Sequence, residues 1–176
     1  MIIRNAAEAD LPGILAIYNE VIVNSTAVYA LVPVTLDNRA QWLAARQAQN
    51  FPVLVAVEAD EVLGFASYGE WRGAWAAYKF TVEHSVHIAA AHRGTGIGHQ
   101  LMLRLIETAQ SAGLHVMIGG IDAENAASIK FHERLGFAPV AHFREVGYKF
   151  GRWLYMVFMQ RLLSPAHTHQ PDSPAQ

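Results

Sequence analysis

Apolar residues recur at two spacings along this chain, and the switches between them predict its elements. Leu11, Ile14, Leu15, Tyr18 and Ile22 lie close to a 3.6-residue period, predicting a helix from Glu8 to about Asn24. Pro12 falls in its first turn, where a missing N–H costs little. Thr35 or Asp37 can cap a second helix running to Arg46, with Trp42 and Leu43 facing inward. Val53–Glu58 and Val62–Tyr68 read as strands joined by Ala59-Asp60-Glu61, a hairpin spacing. Ile2-Ile3-Arg4 opens the chain as a short strand, and the aromatic stretch Trp71–Phe80 reads as a loop. Thr81–Ala89 is a further strand, followed by a glycine loop at Gly94–Gly98.

Helical spacing returns at Leu101, Leu103, Leu105, Ile106 and Ala109 and ends near Gly113. Leu114–Gly119 is almost wholly apolar, as expected of a strand buried on both faces. Asn125–Leu135 reads as a helix closed by Gly136, a residue suited to a left-handed cap. Two strand-like stretches follow, Phe137–Tyr148 and Arg152–Leu162. From Ser164 onward the chain is polar and proline-rich, an expected disordered tail. The series is mixed α/β, with one domain expected over residues 1–163 and the tail over 164–176.

Composition narrows the function classes. The chain has 176 residues, 52% hydrophobic and 16% charged, with a net charge of −2. That balance argues against nucleic-acid binding through bulk positive charge. The longest uncharged run, Val21–Leu36, contains Asn24, Ser25, Thr26 and Pro33, and falls short of the roughly 20 apolar residues a membrane helix needs. The start lacks signal-peptide features, so a soluble, cytoplasmic protein is expected. With no cysteine, a disulfide framework, a thiolate metal site and a cysteine acyl-enzyme are all excluded. Nine histidines do not make a metal site either: His84 and His87 fall on opposite strand faces, and no His-Glu-x-x-His helix occurs. We therefore expect no metal.

The segment His92-Arg93-Gly94-Thr95-Gly96-Ile97-Gly98 lies between a strand and a helix. Glycines allow close backbone approach, and a helix start supplies free N–H groups and a positive dipole end, together a cradle for phosphate. It lacks the Gly-Lys-Ser/Thr of a P-loop. The third glycine of a dinucleotide fingerprint is missing too, since that position is His99 or Leu101. What remains is Arg-x-x-Gly-x-Gly, from Arg93, Gly96 and Gly98; on its own it also suits an ordinary strand-to-helix turn.

This loop resembles the pyrophosphate loop of the GNAT superfamily of acetyl-CoA-dependent N-acetyltransferases. The likeness extends to Asn125-Ala126-Ala127-Ser128 and to His132-Glu133-Arg134-Leu135-Gly136-Phe137. With Tyr68-Gly69-Glu70-Trp71-Arg72, Thr81-Val82-Glu83-His84-Ser85-Val86, His115-Val116-Met117 and Val146–Leu154 falling in order, the chain looks like the phosphinothricin and methionine sulfoximine N-acetyltransferases over residues 2–163. The resemblance implies a GNAT fold with a mixed, partly splayed central sheet flanked by helices. It implies acetyl-CoA as co-substrate, a small amino-acid-like amine as acceptor, and a homodimer. Other acceptors, a peptide N-terminus or a polyamine, and a non-catalytic acetyl-CoA-binding module are the alternatives.

An amine attacks a thioester only after losing a proton, so the reaction needs a base, an oxyanion donor and a proton for the leaving thiolate. Without cysteine, direct attack in a ternary complex is the simplest route. Strand alternation sets Thr81, Glu83, Ser85 and His87 on one face and Val82, His84, Val86 and Ile88 on the other. Glu83 is the candidate base; a structural charge is the other reading. His132 stands where most of the superfamily has Tyr; it can protonate the thiolate, orient Glu83 or the acceptor, or simply pack. The resemblance implies that the backbone of Val86, His87 and Ile88, the loop from Arg93 through Gly94, Thr95, Gly96, Ile97 and Gly98 to His99, and Asn125 and Ser128 contact the cofactor. On the acceptor side it implies Arg72, Gly73, Ala74, Glu83, His84 and Ser85, with Tyr29 and Tyr78 lining the same pocket. A guanidinium at Arg72 suits a carboxylate or phosphinate fork, or a surface ion pair. The chain departs from the family at Arg72–Tyr78, where relatives show Arg-Pro-Phe, and at Val28–Pro33, which lacks Trp-Asn-Glu-Thr-Pro. Both departures fall on the acceptor side.

Overall fold

A computed structural model describes residues 1–163; the stretch 164–176, read above as a tail, lies outside the described residues. Seven strands form one sheet: β1 (Ile2–Asn5), β2 (Val53–Glu58), β3 (Glu61–Glu70), β4 (Thr81–Ile88), β5 (Val116–Asp122), β6 (Ala138–Lys149) and β7 (Arg152–Leu162). Four helices accompany it: α1 (Leu11–Asn24), α2 (Leu36–Ala48), α3 (Ile97–Ser111) and α4 (Ala126–Arg134). Sheet order is β1-β2-β3-β4-β5-β7-β6. Only β4 and β5 pair in parallel, the link between them passing through α3.

The polar and apolar patterning explains most of these elements. Thr35 caps α2, its hydroxyl accepting the Asn38 N–H at 3.2 Å. The predicted hairpin forms, with β3 running on to Glu70. Gly136 takes φ +80° after α4. α1 and α2 cover one sheet face, where Leu11, Ile14, Ile17 and Leu43 pack on Val53, Val55, Val57 and Phe65. α3 covers the other, burying Leu101, Met102, Leu105, Ile106 and Ala109 against Leu54, Ala56, Ala66, Val82 and Met117.

Three expectations need correction. Leu103 points to solvent, 42% exposed, and Met102 holds the inward place, because α3 buries the 101–102–105–106–109 stripe of a true 3.6-residue period. β5 begins at Val116 rather than Leu114, because the Leu114 N–H closes the preceding turn on the Ala109 carbonyl. The loop after β3 includes a short 3-10 turn, Ala76–Tyr78. Among the described residues no helix is long and apolar enough to cross a membrane.

Candidate active site

β4 and β5 are paired only at Thr81–Glu83 against Val116–Ile118. Beyond Glu83, β4 keeps β3 on one side through Ile88, and beyond Ile118, β5 keeps β7 through Asp122. The sheet is therefore split at its centre, and the splayed strand edges border a cavity of about 530 Å³. β4 contributes Glu83, His84, Ser85, Val86 and His87 to its wall, and β5 contributes Gly120, Ile121 and Asp122. Asn125, Ser128 and His132 enter from α4, and Tyr29 from the connection after α1.

The alternation predicted for β4 is visible in its contacts. His87 meets Tyr18 edge-on and Phe65 at a tilt on the α1–α2 side, with ring centres 5.7 and 5.2 Å away. His84 lies on the α3–α4 side, stacked on His132 at 5.1 Å and edge-on to Phe137 at 5.2 Å. This packing needs Gly119, since a β-carbon there would fall 2.7 Å from His84 Nε2. Burial pushes His84 down to about 3, with the charges of His132 and His87 adding to the effect. His87 is likewise pushed down to about 4, first by burial and then by Arg93 and Arg39. Both rings are neutral near pH 7. Glu83 shifts the other way: burial raises its carboxyl above the ordinary carboxylate range.

His132 has a defined tautomer. Its Nδ1 lies 2.7 Å from the Ser128 carbonyl oxygen, which can only accept, so the proton is on Nδ1. Burial lowers its pKa, opposed by that hydrogen bond. Nε2 then carries a lone pair, and it is buried without a hydrogen-bond partner. The neutral ring thus carries an unsatisfied acceptor rather than a proton at Nε2. Asn125 caps α4, its Oδ1 accepting the Ser128 N–H at 3.0 Å.

The glycine loop leads into the first turn of α3. Gly94 and Gly96 adopt φ +79° and +87°, and Gly96 is the left-handed residue that starts the helix. A β-carbon at either would meet nothing within 4 Å, so backbone conformation rather than crowding is what glycine supplies here. The loop amides and the split strand edges suit a phosphate-bearing ligand with an extended arm. Arg93 is already engaged, its Nε donating to the Ile88 carbonyl at 3.2 Å and its Nη2 paired with Glu20. Thr95 donates its hydroxyl proton to the His92 carbonyl at 2.6 Å.

The cavity wall thus brings together Glu83, His84, Ser85, Val86, His87, Tyr29, Asn125, Ser128 and His132. Ile88 and the loop from Arg93 to His99 lie on the strand and helix ends beyond it. Arg72, Gly73, Ala74 and Tyr78 are also outside the wall, on an exposed loop. Arg72 takes φ +51° and lies over the Trp71 ring, 5.8 Å from its centre. The wall includes residues that sequence reasoning passed over, among them Tyr18, Trp42, Arg39 and Arg46. The signal was present: Arg39, Trp42 and Arg46 fall at i, i+3 and i+7 on one face of α2.

Comparison with known proteins agrees with this geometry. A methionine sulfoximine/methionine sulfone acetyltransferase of Pseudomonas paraeruginosa is 52% identical over 167 residues, covering 94% of this chain and 96% of that protein. A phosphinothricin N-acetyltransferase of Alcaligenes faecalis is 36% identical, covering 97% and 86%. The structure of an acetyltransferase from Salmonella typhimurium with its cofactor acetyl-CoA superposes with a TM-score of 0.93 at 44% identity, covering 98% of each chain. The profile of the Acetyltransferase (GNAT) family matches residues 15–137, which span the split sheet, the glycine loop and α4. The chain belongs to the GNAT family of acetyltransferases.

Proposed function

We propose that this acetyltransferase moves the acetyl group of acetyl-CoA onto the α-amino group of a small amino-acid analogue of the methionine sulfoximine, methionine sulfone or phosphinothricin type, by direct attack in a ternary complex. One observation carries the reading: Glu83 and His132, whose buried Nε2 has no hydrogen-bond partner, line the same cavity in the β4–β5 split, where β4 leads to a glycine-led helix start. The names of the relatives support the acceptor class.

The pyrophosphate would lie on the loop from Arg93 to His99, whose N–H groups open α3. The pantetheine arm would run along the free edge of β4 at Val86, His87 and Ile88, with Asn125 and Ser128 on its other side. Glu83 takes a proton from the acceptor ammonium, and the amine nitrogen forms a bond to the thioester carbon. A backbone N–H of β4 steadies the oxyanion. His132 Nε2 accepts the remaining acidic N–H proton of the adduct. As the carbon–sulfur bond breaks, His132 delivers that proton to the thiolate, leaving amide and free CoA. Arg72, Gly73, Ala74 and Tyr78 act on the acceptor from the exposed loop, which starts at Trp71, edge-on to Phe158 beside Gly120.

The enzyme acts as a homodimer in the cytoplasm, where its co-substrate is found. Supporting the dimer, the β6–β7 hairpin leaves Phe143, Val146, Tyr148, Phe150 and Trp153 each 46–58% exposed at one edge of the sheet. The deciding experiment follows CoA release with acetyl-CoA and L-methionine sulfone, L-methionine sulfoximine or phosphinothricin. Turnover of at least one at a rate well above that with a polyamine or a peptide N-terminus is expected. Turnover of those other amines alone would overturn the acceptor assignment, and binding of acetyl-CoA with no CoA release from any amine would overturn catalysis.

A further inference from the structure

Two cations in the cavity wall make no ion pair among the described residues. Arg39 and Arg46 are seven residues apart on α2, two turns of one face, and both line the cavity. Arg39 is 8% exposed, with its guanidinium 4.3 Å from the Tyr18 ring centre and 5.0 Å from that of Trp42. Its polar partner is the neutral Asn38 side chain, whose oxygen accepts from Nε at 3.1 Å and from Nη2 at 2.6 Å. Arg46 is half-buried, and its Nε is fully buried with no hydrogen-bond partner. Burial lowers the pKa of both guanidiniums, and Arg46 lowers that of Arg39 further, while Glu70 favours the charged form of Arg46.

Withdrawing two like charges from water is unfavourable unless an anion joins them. The geometry says where such an anion would lie. Gly69 of β3 is the direct cross-strand partner of Glu83. Arg46 Nη1 fills the space in front of Gly69, where a β-carbon would fall 2.0 Å from it. Directly opposed residues of an antiparallel pair share a face, their β-carbons about 5 Å apart. The Arg46 guanidinium, reaching from α2 to lie over Gly69, and the Glu83 side chain therefore occupy neighbouring points over one face and line one cavity, without pairing with each other. A cation and an anion held apart in this way match the two ends of a zwitterion.

We propose that Arg39 and Arg46 form the anion subsite of the acceptor, binding the α-carboxylate of an amino acid whose α-amino group is presented to Glu83. This rests on the acetyl-transfer reading above and assigns the carboxylate to α2 rather than to the exposed Arg72. Arg46 closes on the carboxylate beside Gly69, while Arg39, fixed by the Tyr18 and Trp42 rings, supplies the second positive charge.

The test compares L-methionine sulfone with its α-carboxamide, which keeps the amine and side chain but loses the charge. kcat/KM is measured for both with acetyl-CoA, and binding of both by calorimetry in the presence of CoA. Wild type is expected to prefer the carboxylate. Arg46→Gln should shrink that preference about 10- to 100-fold, the range of a charge-assisted hydrogen bond. Arg46→Lys should restore part of it, and the KM for acetyl-CoA should stay unchanged in both. Arg39→Gln should act the same way, but it also loses the ring stack, so its thermal unfolding is measured alongside and the Arg46 variants decide the outcome. The proposal is overturned if wild type shows no carboxylate preference in either binding or turnover, if Arg46→Gln weakens both acceptors equally, or if only Arg72→Gln removes the preference. If neither acceptor is acetylated but binding prefers the carboxylate and depends on Arg46, the acetyl-acceptor assignment fails and the subsite stands.

Discussion

Glu83 makes no hydrogen bond or ion pair among the described residues, and burial alone raises its carboxyl above the ordinary range. A carboxylate in that state is a stronger base than one in water, and it has no partner to break away from. With a saturating acceptor, kcat should rise with pH through a value above the usual carboxylate range, as Glu83 ionises. Glu83→Gln should lower kcat by about 10²- to 10⁴-fold and leave the KM for acetyl-CoA nearly unchanged. Equal losses in both would assign Glu83 a structural role. At this scale the legible residues were those whose chemistry depends on strand parity: Glu83, His84 and His87 take the faces that alternation assigns them. Arg39 and Arg46 share a readable face of α2 with Trp42, but their place in the site was not legible, because an arginine on an amphipathic helix is ordinarily solvated, and only the packing of α2 onto β3 brings these two to the cavity. Arg72 shows the converse: a guanidinium in a suitable motif stays outside the cavity wall because its loop does.

Element existence and order were readable from periodicity, because each face of the sheet requires its own apolar stripe. The split between β4 and β5 was not, since nothing in either strand's composition says where pairing stops. One long-range tie is equally invisible in sequence. Lys149, near the end of β6, is 4% exposed, and its ammonium donates to the carbonyls of Ile22 at 2.7 Å, Ser25 at 2.9 Å and Val28 at 2.7 Å. These carbonyls end α1 and lead into Tyr29, whose ring packs on Gly147 so closely that a β-carbon there would fall 2.5 Å from it. Lys149 therefore fastens the β6–β7 hairpin to the segment that carries a cavity-wall residue. Lys149→Met keeps the stem but leaves three carbonyls without their donor. It should lower unfolding free energy by about 3 kcal/mol in denaturant titrations. It should also raise the KM for the acceptor more than that for acetyl-CoA, because Tyr29 loses its anchorage. An unchanged acceptor KM at reduced stability would confine the tie to folding.

The molecule as a whole carries two further consequences. If the exposed aromatic edge of the β6–β7 hairpin is a dimer face, wild type should sediment at twice the 19.4 kDa chain mass. Tyr148→Glu with Trp153→Glu should then yield monomers, since the two rings lie 5.1 Å apart and both would carry charge into the interface. Sedimentation of wild type at the single-chain mass would discard this face. The second consequence concerns acid. In the unfolded chain each histidine takes up a proton near pH 6.5. In the fold His84 stays neutral down to about 3 and His87 down to about 4, and burial lowers His132 as well. Between those limits the unfolded state binds more protons, so stability falls as pH drops, by up to about 1.4 kcal/mol per pH unit for each such ring. Glu83 opposes this, because its raised pKa lets the folded state take up a proton before the unfolded chain does. One carboxyl cannot offset three imidazoles, so the net slope keeps the sign the histidines give it. Urea unfolding between about pH 7 and about pH 5.5, above the range where ordinary carboxylates titrate, should show a steady loss of stability. His84→Gln should be less stable at pH 7 and have a shallower slope, by up to one ring's share. A slope unchanged by that substitution would mean that the stacked pair under the cavity does take up a proton in the folded state.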